Sequence, residues 1–292
     1  MLINNLHKLL RVQPPAQLKQ EPFEGNDAYL RRLFRLRPGD KPNAGDIGEY
    51  IRHDLCYGTV QTDLFAYLLP FCLETWRDDL KGVTGQGGTV EYLYPVLANS
   101  ELLNRSLSPA QQEIVFGYIR EGILEEIDAQ RGLTFRGSAA RPHRWIGELT
   151  TYGVLQADLE ILWRDWWNIE SIGRAVSVVQ YVSCLMYPEN ENPIFSPWTP
   201  NEGGGPPSLM LFEGHLYSHR WLEPNLEFLR RVLSPESIQA VLVRSVARLE
   251  GEPEEAMARL VGEDFPSTAE TVRVHCNKMF ETLASKDGSL LS

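Results

Sequence analysis

Apolar residues recur at helical spacing along most of this chain, and the two clearest runs lie between Thr62 and Gln130. In TDLFAYLLPFCLETWRDDL, Thr62 to Leu80, the residues Leu64, Phe65, Leu68, Leu69, Cys72 and Trp76 follow a 3.6-residue period, so the spacing predicts a helix. Pro70 interrupts that run, which predicts either a kink there or a helix proper that starts near it. The second run, SPAQQEIVFGYIREGILEEIDAQRG, is fully punctuated. Ser108 is an N-cap residue, Pro109 suits the first helical position, and Gln111 can close a capping box. Ile114, Val115, Tyr118, Ile119, Ile123 and Ile127 then make one apolar stripe, and Arg131-Gly132 supplies the stop.

The same grammar continues on both sides. Leu2, Ile3, Leu6, Leu9 and Leu10 form a short amphipathic segment that is expected to dock on the body of the protein. Asp46 and Glu49 have capping-box spacing ahead of DIGEYIRHDLCYG. From Thr151 to Pro188 the chain is at its most apolar, with Leu159, Leu162, Trp163 and Trp166 on one helical face. Ser171 can cap a further helix through Met186, although the Val and Tyr content there also suits a buried strand. Ser234-Pro235 repeats the cap seen at Ser108-Pro109, an acidic helix is expected in GEPEEAMARLVGEDF, and Ser267 with Glu270 has capping-box spacing for a closing helix. The fold class read from this pattern is mainly α, an irregular multi-helix bundle, with room for one short strand or hairpin near residues 208–213. The sharpest break is ENENPIFSPWTPNEGGGPP, rich in Pro, Asn and Gly. It divides the reading into a helical region 1–187, an ordered loop or boundary 188–207, and a helical region 208–292 that packs on the first, or a single domain.

Composition narrows the class. With 292 residues, 43% of them hydrophobic and 23% charged, the chain is ordinary globular protein, long enough to bury a sizeable core. Its formal net charge of −11 disfavours binding to nucleic acid or to anionic membranes and suits a basic partner. No apolar run is long enough to span a bilayer, and the N-terminal segment has no small-residue cleavage site, so a cytoplasmic protein is expected. Cys56, Cys72, Cys184 and Cys276 are far apart and without a CxxC pair, which reads as buried free thiols and neither disulfides nor a zinc site. No cofactor is expected.

Candidate chemistry is sparse. His215 and His219 share one helical face, but Leu216 stands where HExxH needs glutamate, so no metal site follows. GVTGQGGTVEY lacks the GK[ST] ending of a P-loop. Paired carboxylates beside Trp163, Trp166 and Trp167 are what a glycosidase needs, yet acids at surface spacing around core aromatics explain the same pattern. The arginines of AYLRRLFRLRPGDKP can form an anion patch or pair with carboxylates on a solvated helix face. His-Arg-Trp occurs at both His143 and His219, so Arg136, Arg141, His143, His215, His219 and Arg220 are the residues from which an anionic-substrate pocket of a hydrolase or transferase would be built.

The run YLLPFCL, Tyr67 to Leu73, followed by LSPAQQEIVFGYI, resembles bacterial helical domains of the kind that includes immunity proteins of polymorphic toxins. The resemblance covers Thr62 to Gln130, rests on helix grammar, and carries no catalytic motif. It implies a cytoplasmic, non-enzymatic binding protein, an immunity protein or antitoxin that covers a basic toxin with an acidic surface. The contact residues expected on that reading are Asp158, Glu160, Asp165 and Glu170, with Glu189, Glu191, Trp198 and Glu202 of the Pro/Gly-rich stretch as a second contact.

Overall fold

The computed structural model describes residues 6–21, 28–81, 88–133, 159–187, 193–195 and 223–285. Helices take up 77% of them and no strand occurs among the described residues, so the fold is a mainly α multi-helix bundle. The stretch near residues 208–213 lies outside the described residues. The chain divides into two compact units, Met1–Gly122 and Ile123–Ser292.

The first unit contains α1 (Leu6–Leu10), α2 (Ala28–Phe34), α3 (Ala44–Glu49), a π-helical turn (Tyr50–Asp54), α4 (Leu55–Tyr57), α5 (Thr62–Leu80), α6 (Gly88–Ala98), α7 (Ser100–Ser106) and the start of α8 (Pro109–Asp128). Helix α5 is its axis. It packs on α3, α6 and α7. Leu64, Phe65, Leu68, Leu69, Cys72 and Trp76 are all fully buried, and so are Tyr67, Phe71 and Leu73 on the remaining sides. A helix apolar all round is a core helix. It begins at Thr62 and runs through Pro70, so the helix proper does not start at the proline. An interior proline costs about 3 kcal/mol. Burying one large apolar side chain contributes roughly 1.5–3 kcal/mol, so Leu68, Leu69 and Phe71 around it outweigh the lost bond.

Local chemistry explains the other boundaries of this unit. The capping box before α8 forms as the spacing predicts: Gln111 N–H donates to Ser108 Oγ at 3.4 Å, and Ser108 N–H donates to Gln111 Oε1 at 2.8 Å. The predicted Asp46–Glu49 box does not form. Asn43 caps α3 instead, its Oδ1 accepting from Gly45 and Asp46 N–H. Asp46 is held by a bidentate pair with Arg32, at 2.7 Å from Nε and 2.6 Å from Nη2. Helix α1 docks as expected, with Leu6 and Leu10 buried and Gln111 Nε2 donating to the Leu10 carbonyl.

The second unit holds the end of α8, then α9 (Leu159–Trp167), α10 (Ile172–Met186), a 3-10 turn (Pro193–Phe195), α11 (Glu223–Val232), α12 (Pro235–Arg248) and α13 (Glu255–Ser285). Helices α10, α12 and α13 pack on one another pairwise, and α9 packs on α10 and α11. Segments from both sides of residues 188–207 therefore share one core. The stretch Ser171 to Met186 is helical, with Ser171 Oγ accepting from Arg174 N–H at 3.1 Å. Its Val and Tyr side chains are buried on every side, which is why periodicity alone left strand open. Ser234 caps α12 as predicted, accepting from Ser237 N–H at 3.3 Å.

The two helices expected between Gly251 and Lys286 are one, α13, with Pro266 inside it. Ser267 is no cap: its hydroxyl donates to the Asp264 carbonyl at 2.8 Å, and Glu270 pairs with Arg273 at 2.5 Å. The stripe Ala258, Val261, Phe265, Val272, Cys276 and Phe280 stays buried across the proline, and that continuity keeps the helix whole.

Candidate functional site

The predicted contact face falls on α9 and the turn after it. Leu159, Leu162, Trp163, Trp166 and Trp167 turn inward, while Glu160 and Glu170 remain substantially solvent-accessible. The indoles pack with Tyr181: the Trp163 ring lies 5.3 Å from Trp166, 5.7 Å from Trp167 and 5.9 Å from Tyr181. Rings this close fill one another's faces, so they make a core and not an open aromatic cage.

Arginines meet the acids of this face. Glu160 pairs with Arg164 at 2.5 Å and lies 3.9 Å from Arg231. Glu170 pairs with Arg174 at 3.3 Å. Arg174 is the centre of the network: it grips Asp128 with Nε at 2.8 Å and Nη2 at 3.2 Å, and donates from Nη1 to the Asp165 carbonyl at 2.7 Å. Ser171 Oγ donates to the same Asp128 carboxylate. From α12, Arg244 reaches the Trp167 carbonyl at 3.3 Å and Arg248 the Glu170 carbonyl at 3.5 Å, cations at the C-terminal end of α9 where the helix dipole favours them. The face is therefore of mixed charge. Among the described residues it places no buried carboxyl beside tryptophan of the kind that glycoside hydrolysis needs.

The more uniformly acidic surface lies at the start of α13. Glu250, Glu255 and Glu263 all act on Arg259, which pairs with Glu255 at 2.5 Å, and Glu252 and Asp264 stand beside them in the sequence. The Gly251 N–H donated to Glu255, and then the pair with Arg259, lower the Glu255 pKa. Asp264 accepts from Tyr187 at 2.8 Å; burial and that carboxylate push the phenol pKa up.

In the first unit, the arginine patch is largely occupied from within. Arg32 holds Asp46, and Arg37 Nη1 donates to the carbonyls of Arg35 at 3.2 Å and Leu36 at 2.9 Å. His7 sits edge-on to Phe71 with centroids 4.3 Å apart, and burial lowers its pKa.

Asp158, Glu189, Glu191, Trp198 and Glu202 lie outside the described residues, as do Arg136, Arg141, His143, His215, His219 and Arg220 of the alternative pocket. Among the described residues no three His, Cys, Asp or Glu side chains come together to hold a metal ion, and no helix is long and apolar enough to cross a membrane. Cys72, Cys184 and Cys276 are buried, as expected, whereas Cys56, in a short helical turn, is exposed.

Comparison with known protein families, curated proteins and solved structures finds no match to this chain. The sequence reading missed one polar cluster, around Gly132, Gln180 and Glu254. Its only sequence signal was a lone glutamine in the apolar run of α10.

Proposed function

We propose that this chain is a non-enzymatic binding protein of the immunity-protein type, whose acidic surface covers a basic partner. The observation that supports this reading is the net charge of −11 together with the acids around the start of α13, where Arg259 is the sole basic residue between Glu250 and Asp264. Such a field speeds encounter with a cationic protein and repels nucleic acid. Glu160, Asp165 and Glu170 take part in second place, because Arg164 and Arg174 already draw on two of them.

The test is affinity purification of the tagged protein from its own host at low and then high salt, followed by association kinetics with whatever co-elutes. One stoichiometric basic polypeptide is expected, captured more slowly as ionic strength rises. Replacing Glu250 and Glu263 by Lys should reduce its association rate about tenfold, and replacing Glu160 and Glu170 should have a smaller effect. A partner that is not basic, or capture indifferent to salt and to both pairs of substitutions, would sink the reading.

A further inference from the structure

The turn that follows α8 is held from both sides by side chains buried in the second unit. Gly132 has φ +80°, a left-handed conformation that suits glycine. Its N–H donates to Glu254 Oε1 at 2.5 Å, and its carbonyl accepts from Gln180 Nε2 at 3.1 Å. Both side chains are almost wholly out of water, Glu254 at 6% exposure and Gln180 at 3%. Each has a second oxygen, Glu254 Oε2 and Gln180 Oε1, that is buried and has no hydrogen-bond partner. A third such oxygen is Ser177 Oγ, on a residue with 0% exposure. It lies one turn before Gln180, on the stripe Gly173–Ser177–Gln180. The ends of that stripe meet residues 127–128 and 132.

We propose that this turn binds a monovalent alkali cation, Na+ or K+, through Glu254 Oε2, Gln180 Oε1 and Ser177 Oγ. A carboxylate, an amide carbonyl and a hydroxyl are hard oxygen donors suited to alkali and alkaline-earth ions, and not to soft transition metals. The set carries a single negative charge. The N-terminus of α13, which Glu254 immediately precedes, and the Gly132 N–H offset part of that charge. Water can satisfy the three oxygens but brings no positive charge to the buried carboxyl group. A divalent ion would leave excess positive charge in the core, and calcium sites recruit several carboxylates. One carboxylate with neutral oxygens balances a monovalent ion.

The experiment is thermal unfolding of the full chain in choline, sodium and potassium chloride at one fixed ionic strength and pH. Alongside it, sodium NMR linewidths are measured with and without protein. Saturable stabilisation by Na+ or K+ over choline is expected, about 3 °C near saturation, with sodium line broadening that K+ competes away. Both effects should disappear in Glu254→Gln, with Ser177→Ala weakening them if the glutamine variant does not fold. Equal unfolding in all three salts with no broadening would overturn the proposal and leave water as the bridging species. A cation effect that persists in folded Glu254→Gln would overturn it equally.

Discussion

A single absent methyl group decides how α10 meets the end of α8. A Cβ at Gly173 would lie under 3.0 Å from the carbonyl oxygens of Ile127 and Asp128, backbone atoms with no rotamer to escape into. Gly173→Ala should therefore destabilise the protein by about 3 kcal/mol or more, the upper end of overpacking costs. Gly132→Ala meets no clash and bears only the left-handed strain, about 1–2 kcal/mol. Urea unfolding of the two variants checks the ordering, and equal losses would mean that the close approach at Gly173 is not rigid. His7 makes the second prediction at this scale. Burial lowers its folded pKa below the ordinary value of 6.5, so the unfolded chain binds the proton more readily. The neutral form's stability is complete above pH 6.5 and is lost as pH falls from there toward the depressed value. Glu74, 3.9 Å away, has the opposite sign: burial and Asp78 raise its pKa, so its contribution is full below 4.5 and lost as pH rises through the raised value. Between pH 7.5 and 5.5 the wild type should lose stability faster than His7→Leu in urea titrations, and parallel curves would remove His7 from the balance.

Helices were the most legible part of the chain, and where the reading failed it failed for a physical reason. Caps at Ser108, Ser171 and Ser234 were readable because each is local: a hydroxyl, three residues, and one N–H. The boxes at Asp46 and Ser267 have the same local spacing and do not form. Arg32 claims Asp46 from another helix, and the buried stripe on either side of Pro266 carries α13 through Ser267. Substitution separates the cases. Ser108→Ala should cost about 1 kcal/mol, whereas Ser267→Ala should be neutral or slightly stabilising, since alanine is the better residue inside a helix. A loss at Ser267 equal to that at Ser108 would show that it caps after all. The candidate surface was legible only in half. The outward spacing of Glu160 and Glu170, and the arginines four residues after each, can be read from the sequence, but Arg231 and Arg248 arrive from α11 and α12, and no local pattern announces them. The Gly132 cluster joins residues separated by 48 and 122 positions, beyond anything periodicity reports.

At the scale of the whole molecule, charge is the property that reaches furthest. A net −11 at neutral pH puts excess like charge on a folded surface, and that self-repulsion weakens the compact state until mobile ions screen it. Raising ionic strength with choline chloride at pH 7 should therefore stabilise the protein by about 1 kcal/mol, roughly 2–4 °C in Tm for a chain of this size. The trend should shrink toward the isoelectric point near 5.1, where there is little net charge left to screen. Scanning calorimetry over a range of salt concentrations at both pH values is sufficient. The local ion pairs predict the opposite slope, because Arg164–Glu160, Arg259–Glu255 and Arg273–Glu270 are exposed and lose strength as salt rises. Exposed pairs contribute less than about 1 kcal/mol each, so the sign of the salt slope reports which of the two dominates. A positive slope at pH 7 that vanishes near pH 5 would mean that long-range repulsion wins. The same field would then be available to draw in a basic partner, at a rate that falls with salt while stability rises.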